Sequence, residues 1–582
     1  MPDPAHLKSA AAIAAALCAD GRISEADRQR LQRTPLSGGH PIAAIAALEL
    51  PDLHHRGRVL TGEVLGQWWA EQLGVPYYSI NPLRVNVQAV TAVMSFNYAK
   101  RHRILCVEVR PDAVVIGAAD PQVRGWQPAV EQTTRKPVRT VFVRPDLLDK
   151  YTIEFYSIAR SVSGADARGD SGSRVTNFEQ LVDLKSDKEA GAEDQHIVNI
   201  VDWLLQYAFS QRASDIHLEP ARELGKVRFR IDGVLHDVYE MPRNVAGAVT
   251  ARLKVLGRMD VAEKRRPQDG RIKTRNPEGR EVELRLSTLP TAFGEKLVLR
   301  IFDPEVLLRS FEQMGLEEAD LRAWRSLTTR SSGIALVTGP TGSGKTTTLY
   351  TTLRELATAE VNVSTLEDPI EMVVDSLNQT QVQPQIDLNF AAGIRTLLRQ
   401  DPDIIMVGEI RDRETADMAV QAALTGHLVL STLHTNDAPT AITRLLDLGL
   451  PAHLIRVTLN GVMAQRLVRT LCPHCRAPIE VEREAWQTLI APFKQPPPEK
   501  LYRPGGCLEC RNTGYMGREG IYEIMHPSTA LRRLITEQTD LEKVRRQSLQ
   551  DGNLTLRLAG AKKVAAGRTT IEEVLRVTPV AE

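Results

Sequence analysis

The stretch Gly339-Pro-Thr-Gly-Ser-Gly-Lys345-Thr346 decides the fold of the second half of this chain. It fits the phosphate-binding loop G-x-x-x-x-G-K-[ST], in which glycines let backbone N–H groups surround phosphates. The apolar run Ile334-Ala-Leu-Val-Thr338 predicts a buried strand before the loop, and a helical pattern begins at Thr346. A glycine-rich turn before a helix would share the bare pattern, but strand, loop and helix in this order are the context of a phosphate loop. The sequence therefore predicts that this protein binds a nucleoside triphosphate.

The side chains of this loop have separate predicted tasks. Lys345 is long enough to reach the β- and γ-phosphates, and the hydroxyl of Thr346 is a hard oxygen ligand for Mg²⁺. The residues predicted to bind ATP are Gly339, Pro340, Thr341, Gly342, Ser343, Gly344, Lys345, Thr346 and Thr347.

Three polar residues follow apolar runs that predict further strands. Glu409 comes after Ile404-Ile-Met-Val407, a run suited to a central parallel strand, and should hold Mg²⁺ directly or through water. Glu367 follows Val361–Leu366, and a carboxylate there could orient or deprotonate the attacking water. His434 ends a third run and can donate a hydrogen bond to a γ-phosphate. Strand ends also carry structural carboxylates and packing histidines, so these assignments depend on the accompanying phosphate loop.

Composition places the chain among ordinary globular proteins. Its 582 residues suggest about three or four domains, and 42% hydrophobic with 25% charged residues allow several cores. The 73 basic and 72 acidic residues nearly cancel, which argues against a nucleic-acid partner. The densest basic run, Lys264-Arg265-Arg266, is therefore expected to be a solvated surface.

The sequence contains no stretch close to the roughly 20 apolar residues that cross a bilayer. Ala10–Ala19 is apolar but short, and Asp3 in its flank makes it a poor signal peptide, so it predicts a buried helix. We therefore expect a cytoplasmic protein that meets a membrane only peripherally or through a partner.

Changes in composition and pattern divide the chain into segments. A run rich in Ser, Gly and Asp cannot bury a core and therefore predicts a flexible linker. The predicted segments are 1–60 (helical), 61–160 (α+β), 161–190 (flexible linker), 191–308 (α+β sheet domain), 309–465 (nucleotide-binding core), 466–525 (tetracysteine insertion) and 526–582 (helical).

The sheet domain should have one apolar face and one face that carries arginines. Val227-Arg-Phe-Arg-Ile231 alternates between the two, and Asp232-Gly233 predicts the tight turn of a hairpin. Val282–Ser287 alternates in the same way, with Arg285 on the polar side. These arginines either face solvent or reach phosphates bound by a neighbouring subunit, and alternation alone favours solvent.

Four cysteines form two pairs, Cys472-Pro-His-Cys475 and Cys507-Leu-Glu-Cys510. Such pairs offer four thiolates, the ligand set of a closed structural Zn²⁺ site. His474 could compete as a ligand, and a redox role is the alternative, although no thioredoxin-like unit lies nearby. The lone cysteines, Cys18 and Cys106, are expected to be small buried apolar residues.

The order of these blocks resembles the secretion ATPases that drive type II secretion and type IV pilus assembly. The likeness spans roughly residues 190 to 580. Its most specific part is the signature Leu398–Asp412. It also includes Ala213-Ser-Asp-Ile-His217-Leu-Glu-Pro220, Arg266-Pro-Gln-Asp-Gly-Arg271 and Phe293-Gly-Glu-Lys296.

The resemblance implies an α/β fold: a RecA-like P-loop NTPase core, preceded by an α+β, PAS-like sheet domain and a separate amino-terminal α+β domain. It implies a homohexamer of two-lobed subunits, in which ATP lies between the sheet domain and the core. Closure of one lobe on the other would convert hydrolysis into a mechanical stroke. The implied partners are an inner-membrane platform protein and associated membrane-anchored subunits, with no nucleic acid.

The resemblance also implies residue roles. Glu367 would position the water, Glu409 would handle Mg²⁺, and His434, the last residue of a histidine box that begins at His427, would sense the γ-phosphate. The arginines that would neutralise charge are Arg271 and Arg285 from the sheet domain, and Arg395 and Arg399 from the core.

The amino-terminal half resembles the family less specifically. Residues 60–155, including Gly74-Val-Pro-Tyr77, are similar to a docking domain that binds cyclic dinucleotides in some members through Arg-Leu-Gly repeats. This sequence lacks those repeats. An amino-terminal domain and a tetracysteine motif are features of assembly-type members, so the resemblance favours assembly or export over retraction.

The leading hypothesis is an ATPase that powers assembly of a type IV pilus or a type II secretion pseudopilus at the cytoplasmic face of the inner membrane. Its cofactors would be ATP, Mg²⁺ and structural Zn²⁺. A RecA-like motor that translocates nucleic acid is the main alternative, and the even charge argues against it. A scaffold that binds ATP without useful hydrolysis is the other, and intact Lys345, Glu367 and Glu409 argue against that.

Overall fold

The computed structural model describes residues 10–33, 41–46, 48, 50–54, 59–80, 85–166, 195–276, 278–302, 307–507 and 509–579. The chain divides into two compact units, Met1–Phe302 and Asp303–Glu582. Both combine helices with β-sheet, so the predicted α/β class is confirmed. Within the ranges just given, none of the helices has both the length and the apolar character needed to cross a bilayer.

The first unit contains the following elements. Its helices are α1 (Ala10–Ala19), α2 (Glu25–Arg33), α3 (Pro41–Ala46), α4 (Gly62–Leu73), α5 (Val87–Ala92), α6 (Phe96–His102), α7 (Gln127–Thr134), α8 (Pro145–Asp166), α9 (Gln195–Ser210) and α10 (Arg243–Leu256). Its strands are β1 (Ile104–Val109), β2 (Val114–Ala118), β3 (Val138–Phe142), β4 (Asp215–Pro220), β5 (Leu224–Ile231), β6 (Val234–Pro242), β7 (Gln268–Arg275), β8 (Glu281–Thr291) and β9 (Gly294–Phe302).

Helices α1–α4 share one apolar core at the start of this unit. Ile13 and Leu17 of α1 are fully buried and belong to the same cluster as Trp68 of α4, which confirms the predicted buried helix. Strands β1, β2 and β3 form a small sheet, antiparallel between β1 and β2 and parallel between β2 and β3. Helix α8 extends to Asp166, into the predicted linker, and residues 167–190 of that linker lie outside the described residues.

A six-stranded antiparallel sheet, ordered β6-β5-β4-β9-β8-β7, occupies the rest of the unit. The β5–β6 hairpin turns at Asp232 (φ 49°) and Gly233 (φ 85°), because such a turn needs two residues in the left-handed region. Val227, Phe229 and Ile231 are buried on one face, as predicted from their alternation. Helix α10 packs on this sheet.

The basic run and the lone cysteines of this unit lie in different environments. Lys264-Arg265-Arg266 is exposed, as expected of a solvated surface. Cys106 is buried in β1, as predicted. Cys18 is only half-buried, because its Sγ lies 3.5 Å from the carboxylate of Glu25 at the surface.

The second unit contains the following elements. Its α-helices are α11 (Phe311–Met314), α12 (Glu318–Thr328), α13 (Lys345–Leu356), α14 (Phe390–Leu397), α15 (Arg413–Leu424), α16 (Ala438–Asp447), α17 (Ala452–Thr458), α18 (Arg483–Ile490), α19 (Thr529–Leu534), α20 (Leu541–Gln550), α21 (Leu556–Ala565) and α22 (Ile571–Val577). Its strands are β10 (Gly333–Thr338), β11 (Val363–Glu367), β12 (Asn378–Gln381), β13 (Ile404–Val407), β14 (Leu428–Leu433), β15 (Leu459–Leu471), β16 (Ala477–Ile479), β17 (Leu501–Arg503) and β18 (Tyr515–Met525).

A seven-stranded sheet, ordered β12-β11-β13-β14-β10-β15-β18, forms the centre of this unit. The first six strands in this order, β12 through β15, are parallel to one another, and β18 runs antiparallel to β15 at the edge of the sheet. The sheet therefore continues past residue 465, where we predicted the core to end. Strand β15 runs on to Leu471, and β18 lies inside the segment 466–525 that we predicted to be an insertion.

The sheet is covered on both faces, as a parallel sheet requires. Ile334 and Leu336 of β10 pack into one apolar cluster with residues of α14, α15 and α16. Val337, on the opposite face, packs into a second cluster with Trp324 of α12 and Leu349 of α13. Because the carboxyl ends of β10, β11, β13 and β14 meet at one edge, the polar residues that follow them are brought to the same place.

We predict that Leu336→Ala destabilises the centre of the sheet by about 2–5 kcal/mol, because it leaves a cavity at a side chain with no exposed surface. Hydrogen exchange of a peptide that covers β10 measures this loss as faster exchange. The matched control is Val373→Ala, at a side chain that is 79% exposed. It should change the free energy of unfolding that is measured from the same exchange by less than about 0.5 kcal/mol. Equal exchange in the two variants would contradict the described packing.

Candidate active site

The phosphate loop connects β10 to α13 and adopts a conformation that requires its glycines. Gly342 (φ 78°) and Gly344 (φ 92°) lie in the left-handed region. At Gly339 an added Cβ would lie 2.6 Å from the carbonyl oxygen of Gln465, and at Gly344 it would lie 2.7 Å from the side-chain nitrogen of Gln465. Side chains at these positions would therefore push the loop off the strand beneath it.

Lys345 lies at the first position of α13 and points back into the loop. Its Nζ donates hydrogen bonds to the carbonyl oxygens of Gly339, at 2.8 Å, and Pro340, at 3.1 Å. Burial lowers the pKa of Lys345 to about 8, an effect that Glu409 opposes and Arg466 strengthens. The amino group therefore still carries a charge at neutral pH.

Two hydroxyl groups of the loop suit a bound triphosphate. Ser343 is buried, and its Oγ has no hydrogen-bond partner among the described residues, so a phosphate oxygen would supply the missing contact. Thr346 is exposed in the first turn of α13, where the helix dipole favours negative charge. The loop thus fits the group that the sequence predicts for it.

Glu409 and His434 come together at the ends of the neighbouring strands β13 and β14. The carboxylate of Glu409 is 14% exposed, forms an ion pair with Arg411, and lies 3.4 Å from Nε2 of His434. The structure therefore brings the predicted acid and histidine into contact beside the phosphate loop. His427 lies at the opposite end of β14, where its Nδ1 is 2.9 Å from the carbonyl oxygen of Ala422.

Glu367 has an environment different from the one that we predicted for a residue that orients water. It is 3% exposed, and both of its carboxylate oxygens are occupied by neutral donors. The Tyr350 hydroxyl donates to Oε2 at 2.5 Å, while Thr365 and Gln379 donate to Oε1 at 2.6 and 3.0 Å. The reason is that β11 ends at Glu367 itself, one residue later than predicted, so its side chain lies inside the fold with that of Thr365.

The contacts of Tyr350 show what the Glu367 carboxylate holds in place. The same hydroxyl lies 3.2 Å from the carbonyl oxygen of Met372, and it therefore ties helix α13 to the segment that follows β11. The carboxylates of that segment that solvent reaches are those of Asp368 and Asp375, which are exposed, and that of Glu371, which is half-buried. The charge of Asp368 also contributes to a raised pKa of Arg411, after the larger effect of the hydrogen bond to Glu409.

The two predicted core arginines lie on the surface of α14 and just beyond it. Arg395 is exposed and lies 3.4 Å from the carboxylate of Glu414. Arg399 is exposed and donates to the carbonyl oxygen of Arg395 at 2.9 Å. Neither of these contacts joins an arginine to the phosphate loop of the same chain.

The two predicted arginines of the sheet domain belong to a row that crosses three strands. Arg271 of β7 pairs in register with Arg285 of β8, which pairs in turn with Arg300 of β9. Arg285 lies 4.6 Å from the ring centre of Phe302, and Arg300 lies 3.0 Å from the carboxylate of Asp215. Arg285 also forms an ion pair with Glu283 at 3.2 Å, so two of the three arginines have acidic partners within the sheet domain. We did not predict Arg300 from the sequence.

Gln465 and Arg466 of β15 lie against the glycines of the phosphate loop. We did not predict either residue from the sequence. The Thr348 hydroxyl of α13 donates to the side-chain oxygen of Gln465 at 2.7 Å. Gln465 is 1% exposed and Arg466 is 5% exposed. The available signal was a polar pair that follows the apolar run Val462-Met-Ala464 at the predicted end of the core.

The four paired cysteines converge to a group that fits Zn²⁺. Their Sγ atoms all lie within 4.8 Å of one another, with 3.8 Å between Cys472 and Cys507, 3.8 Å between Cys475 and Cys510, and 3.7 Å between Cys507 and Cys510. Tetrahedral Zn²⁺ with bonds of about 2.3 Å places its sulfurs about 3.8 Å apart. These separations are too long for disulfides. His474 is exposed and is not part of the group.

Comparison with known proteins gives two family matches. A family model described as "Type II/IV secretion system protein" matches residues 190–576, and a model described as "MshEN domain" matches residues 73–162. The first match includes the sheet domain, the phosphate loop and the cysteine pairs.

Three curated relatives match most of the chain. The type IV pilus assembly ATPase TfpB of Acinetobacter baylyi is 53% identical over 569 residues, which cover 97% of this chain and 97% of the relative. The type IV pilus assembly ATPase PilB of Pseudomonas aeruginosa is 38% identical over 527 residues, or 90% and 92% of the two chains. The type II secretion system protein E of Dickeya dadantii is 41% identical over 500 residues, or 85% and 98%.

The affinity for ATP should fall as pH rises through about 8, because Lys345 loses its charge there and a neutral amine attracts phosphate less. Bound phosphate raises the pKa of Lys345, so the fall continues above that value. Fluorescence titration with an ATP analogue, from about pH 7.5 to 9.5 at constant Mg²⁺, measures the effect. Lys345→Met should bind weakly with no such pH dependence. A wild-type affinity that stays constant over this range would contradict the described environment of Lys345.

The chain purified without added metal should contain about one Zn²⁺ per molecule, and Cys475→Ser should lose it. The loss should speed hydrogen exchange of residues 472–514 but leave ATP affinity within about threefold, because the cysteines bind no phosphate. Cys18→Ser is the control and should keep the metal. Metal analysis that finds no zinc, or mass spectrometry that finds a disulfide between the pairs, would contradict the assignment.

Proposed function

The chain belongs to the type II/IV secretion system protein family, and we propose that it is an ATPase that powers the assembly of type IV pili. One observation carries the proposal: the phosphate loop with Lys345, and Glu409 with His434, lie at the same edge of one parallel sheet. The 53% identity with a type IV pilus assembly ATPase, over 97% of both chains, supports the choice of pilus assembly. Because relatives named for type II secretion are also similar, pseudopilus assembly in that system is the second candidate.

In the proposed reaction the phosphate loop binds the triphosphate through its backbone N–H groups. The β- and γ-phosphates would attract Lys345 away from the carbonyl oxygens of Gly339 and Pro340, which are weaker partners for an ammonium group than phosphate. Ser343 would donate to a phosphate oxygen. These contacts position the γ-phosphate before any bond breaks.

Thr346 and Glu409 would hold Mg²⁺, because both offer hard oxygen atoms near the phosphates. When bound, Mg²⁺ supplies neutralisation of the charge that builds up on the phosphates. Glu409 also holds the ring of His434, whose other face is exposed and free to donate to the γ-phosphate. The contact with Arg411 fixes the carboxylate from a second direction.

We propose that Glu367 is a positioning residue rather than the group that activates water. Its oxygens are engaged by Tyr350, Thr365 and Gln379, so an additional water would have to displace one of these donors. The water-activating group would then be one of the two accessible acids that follow most closely in the chain, Asp368 or Glu371. Glu367 would serve them through the anchored segment.

We propose that the working assembly is a homohexamer, in which arginines neutralise charge on ATP. The aligned row of Arg271, Arg285 and Arg300 supports this role for the sheet domain. Arg395 and Arg399 would face a neighbouring subunit, since each is exposed on its own chain. An arginine supplied in this way can raise the rate of phosphoryl transfer by orders of magnitude.

The proposed motor would work at the cytoplasmic face of the inner membrane, through a platform protein and membrane-anchored subunits. Family membership supports this arrangement. The same membership disfavours the alternative of a motor that translocates nucleic acid. The predicted docking domain at 61–160 remains part of the proposal, whereas the predicted boundary at residue 465 does not, because β15 runs across it.

Phosphate release by the purified chain tests this assignment. Lys345→Ala should abolish ATP binding, and Glu409→Gln should bind ATP but hydrolyse it at least about 100-fold more slowly, because an amide holds Mg²⁺ and the ring of His434 more weakly than a carboxylate does. Cells that carry Glu409→Gln should assemble no pili. Glu318→Gln, on the exposed face of α12, is the matched control and should keep wild-type turnover.

The same assay separates Glu367, the last residue of β11, from Asp368 and Glu371, which follow it. Glu367→Gln should keep a measurable rate because the amide still bonds to Tyr350, whereas one of Asp368→Asn and Glu371→Gln should remove turnover with ATP binding intact. Turnover in Glu409→Gln at the wild-type rate would overturn the proposed catalytic site. Complete loss in Glu367→Gln alone would restore the water-orienting role for that residue.

A further inference from the structure

Arg466 of β15 is a buried charge at the phosphate loop to which the proposed reaction gives no task. It is 5% exposed, and its Nη1 donates to the carbonyl oxygen of Gln465 at 3.0 Å. An added Cβ at Gly339 would lie 3.0 Å from this nitrogen, so the guanidinium is directly below the first glycine of the loop. Burial of a charge is unfavourable unless it is well hydrogen-bonded, which makes an arginine here unexpected in a purely structural position.

The other end of the guanidinium holds the loop that carries His434. Nη2 of Arg466 donates to the carbonyl oxygen of Asn436 at 2.7 Å. Thr435, between Asn436 and His434, is itself fixed to the end of β10, because its hydroxyl lies 2.7 Å from that of Thr338. Arg466 therefore hydrogen-bonds to the loop after β14 and also lies against Gly339 of the phosphate loop.

The charge of Arg466 is not cancelled by a direct ion pair within the part of the chain that the structure describes. Two buried acids lie near enough to act on its pKa, Asp437 and Glu523, but each has other partners. Asp437 accepts from Arg545 at 2.9 Å, and Glu523 accepts from the backbone N–H of Ala438 at 3.2 Å. Positive charge therefore remains below the site that the phosphates would occupy.

Lys345 and Arg466 both lie against the first glycine of the loop. Nζ of Lys345 donates to the carbonyl oxygen of Gly339 at 2.8 Å, and Nη1 of Arg466 lies 3.0 Å from the position of a Cβ added to Gly339. A phosphate bound in the loop would therefore be attracted by both cations.

We propose that Arg466 is a positioning residue for ATP turnover, which fixes the His434 loop against the phosphate loop and adds its charge to the attraction for phosphate. It acts through Asn436 and Gly339 and touches no substrate. The inference rests on the proposed ATPase function.

Two variants of the full-length chain separate the geometric contribution from the charge. Arg466→Lys keeps the charge but cannot span Asn436 and Gln465 with one planar group, whereas Arg466→Gln removes the charge as well. For each, kcat, KM and the affinity for ATP and ADP are measured with Mg²⁺ at neutral pH. Arg483→Gln, an exposed arginine of α18, is the control for loss of one positive charge and should behave as wild type.

Both Arg466 variants should lose at least about tenfold in kcat, because a displaced His434 loop no longer meets the γ-phosphate. Only Arg466→Gln should also weaken the affinity for ATP, by at least about threefold, because it removes a positive charge next to the phosphate loop that Arg466→Lys keeps. A purely structural role would lower stability without this difference between the variants. If Arg466→Gln does not fold, the kcat of a folded Arg466→Lys decides alone.

Wild-type kcat in either folded variant, or equal affinity for ATP in folded Arg466→Lys and Arg466→Gln, would overturn the inference. Failure of the proposed function looks different: the wild type would release no phosphate, or Lys345→Ala would release it at the wild-type rate. The two failures are therefore distinguishable in the same set of assays.

Discussion

The parallel register of β10, β13 and β14 is the constraint on which the site depends. Gly333 pairs with Leu428 and Thr338 with Leu433, so β10 and β14 leave the sheet at the same level. Strand β13 pairs with β14 on the other side. Because these strands are buried on both faces, their register is fixed by packing, and a slip of one residue would exchange the two faces. The phosphate loop, Glu409 and His434 are neighbours for this reason, although about 90 residues separate the first from the last.

Local sequence patterns were sufficient where chemistry is marked at a strand end. The glycines and Lys345 identify the phosphate loop. The apolar run before Glu409 predicts a strand, and at the end of that strand Glu409 contacts His434. Glu367 shows the limit of such patterns, because β11 ends at Glu367 itself, one residue later than predicted, and its carboxylate is buried beside Tyr350 and Gln379. Burial of a polar group depends on partners such as Tyr350 and Gln379, which come from other elements and leave no local signal.

Long-range strand pairing accounts for the other differences. Gln465 and Arg466 are part of the site because β15 pairs with β10. Residues near them in the sequence do not predict this pairing. The same pairing explains why the sheet continues beyond residue 465, the predicted end of the core. Cys472 follows the end of β15, and Cys510 precedes the start of β18. The four thiolates therefore lie at the end of this antiparallel strand pair, where β15 ends and β18 begins. A Zn²⁺ ion there would close a long loop and so help to hold the edge of the sheet that carries Arg466.

The most direct test of the account is a crystal structure of the chain with Mg²⁺ and a non-hydrolysable ATP analogue. The account predicts the phosphates inside the loop of Gly339–Thr347, with Lys345 on the β- and γ-phosphates. It predicts the metal about 2.1 Å from the Thr346 hydroxyl, with Glu409 bound to it directly or through one water. A nucleotide bound elsewhere, or a metal that neither Thr346 nor Glu409 approaches, would contradict the claim that these strand ends form one catalytic site.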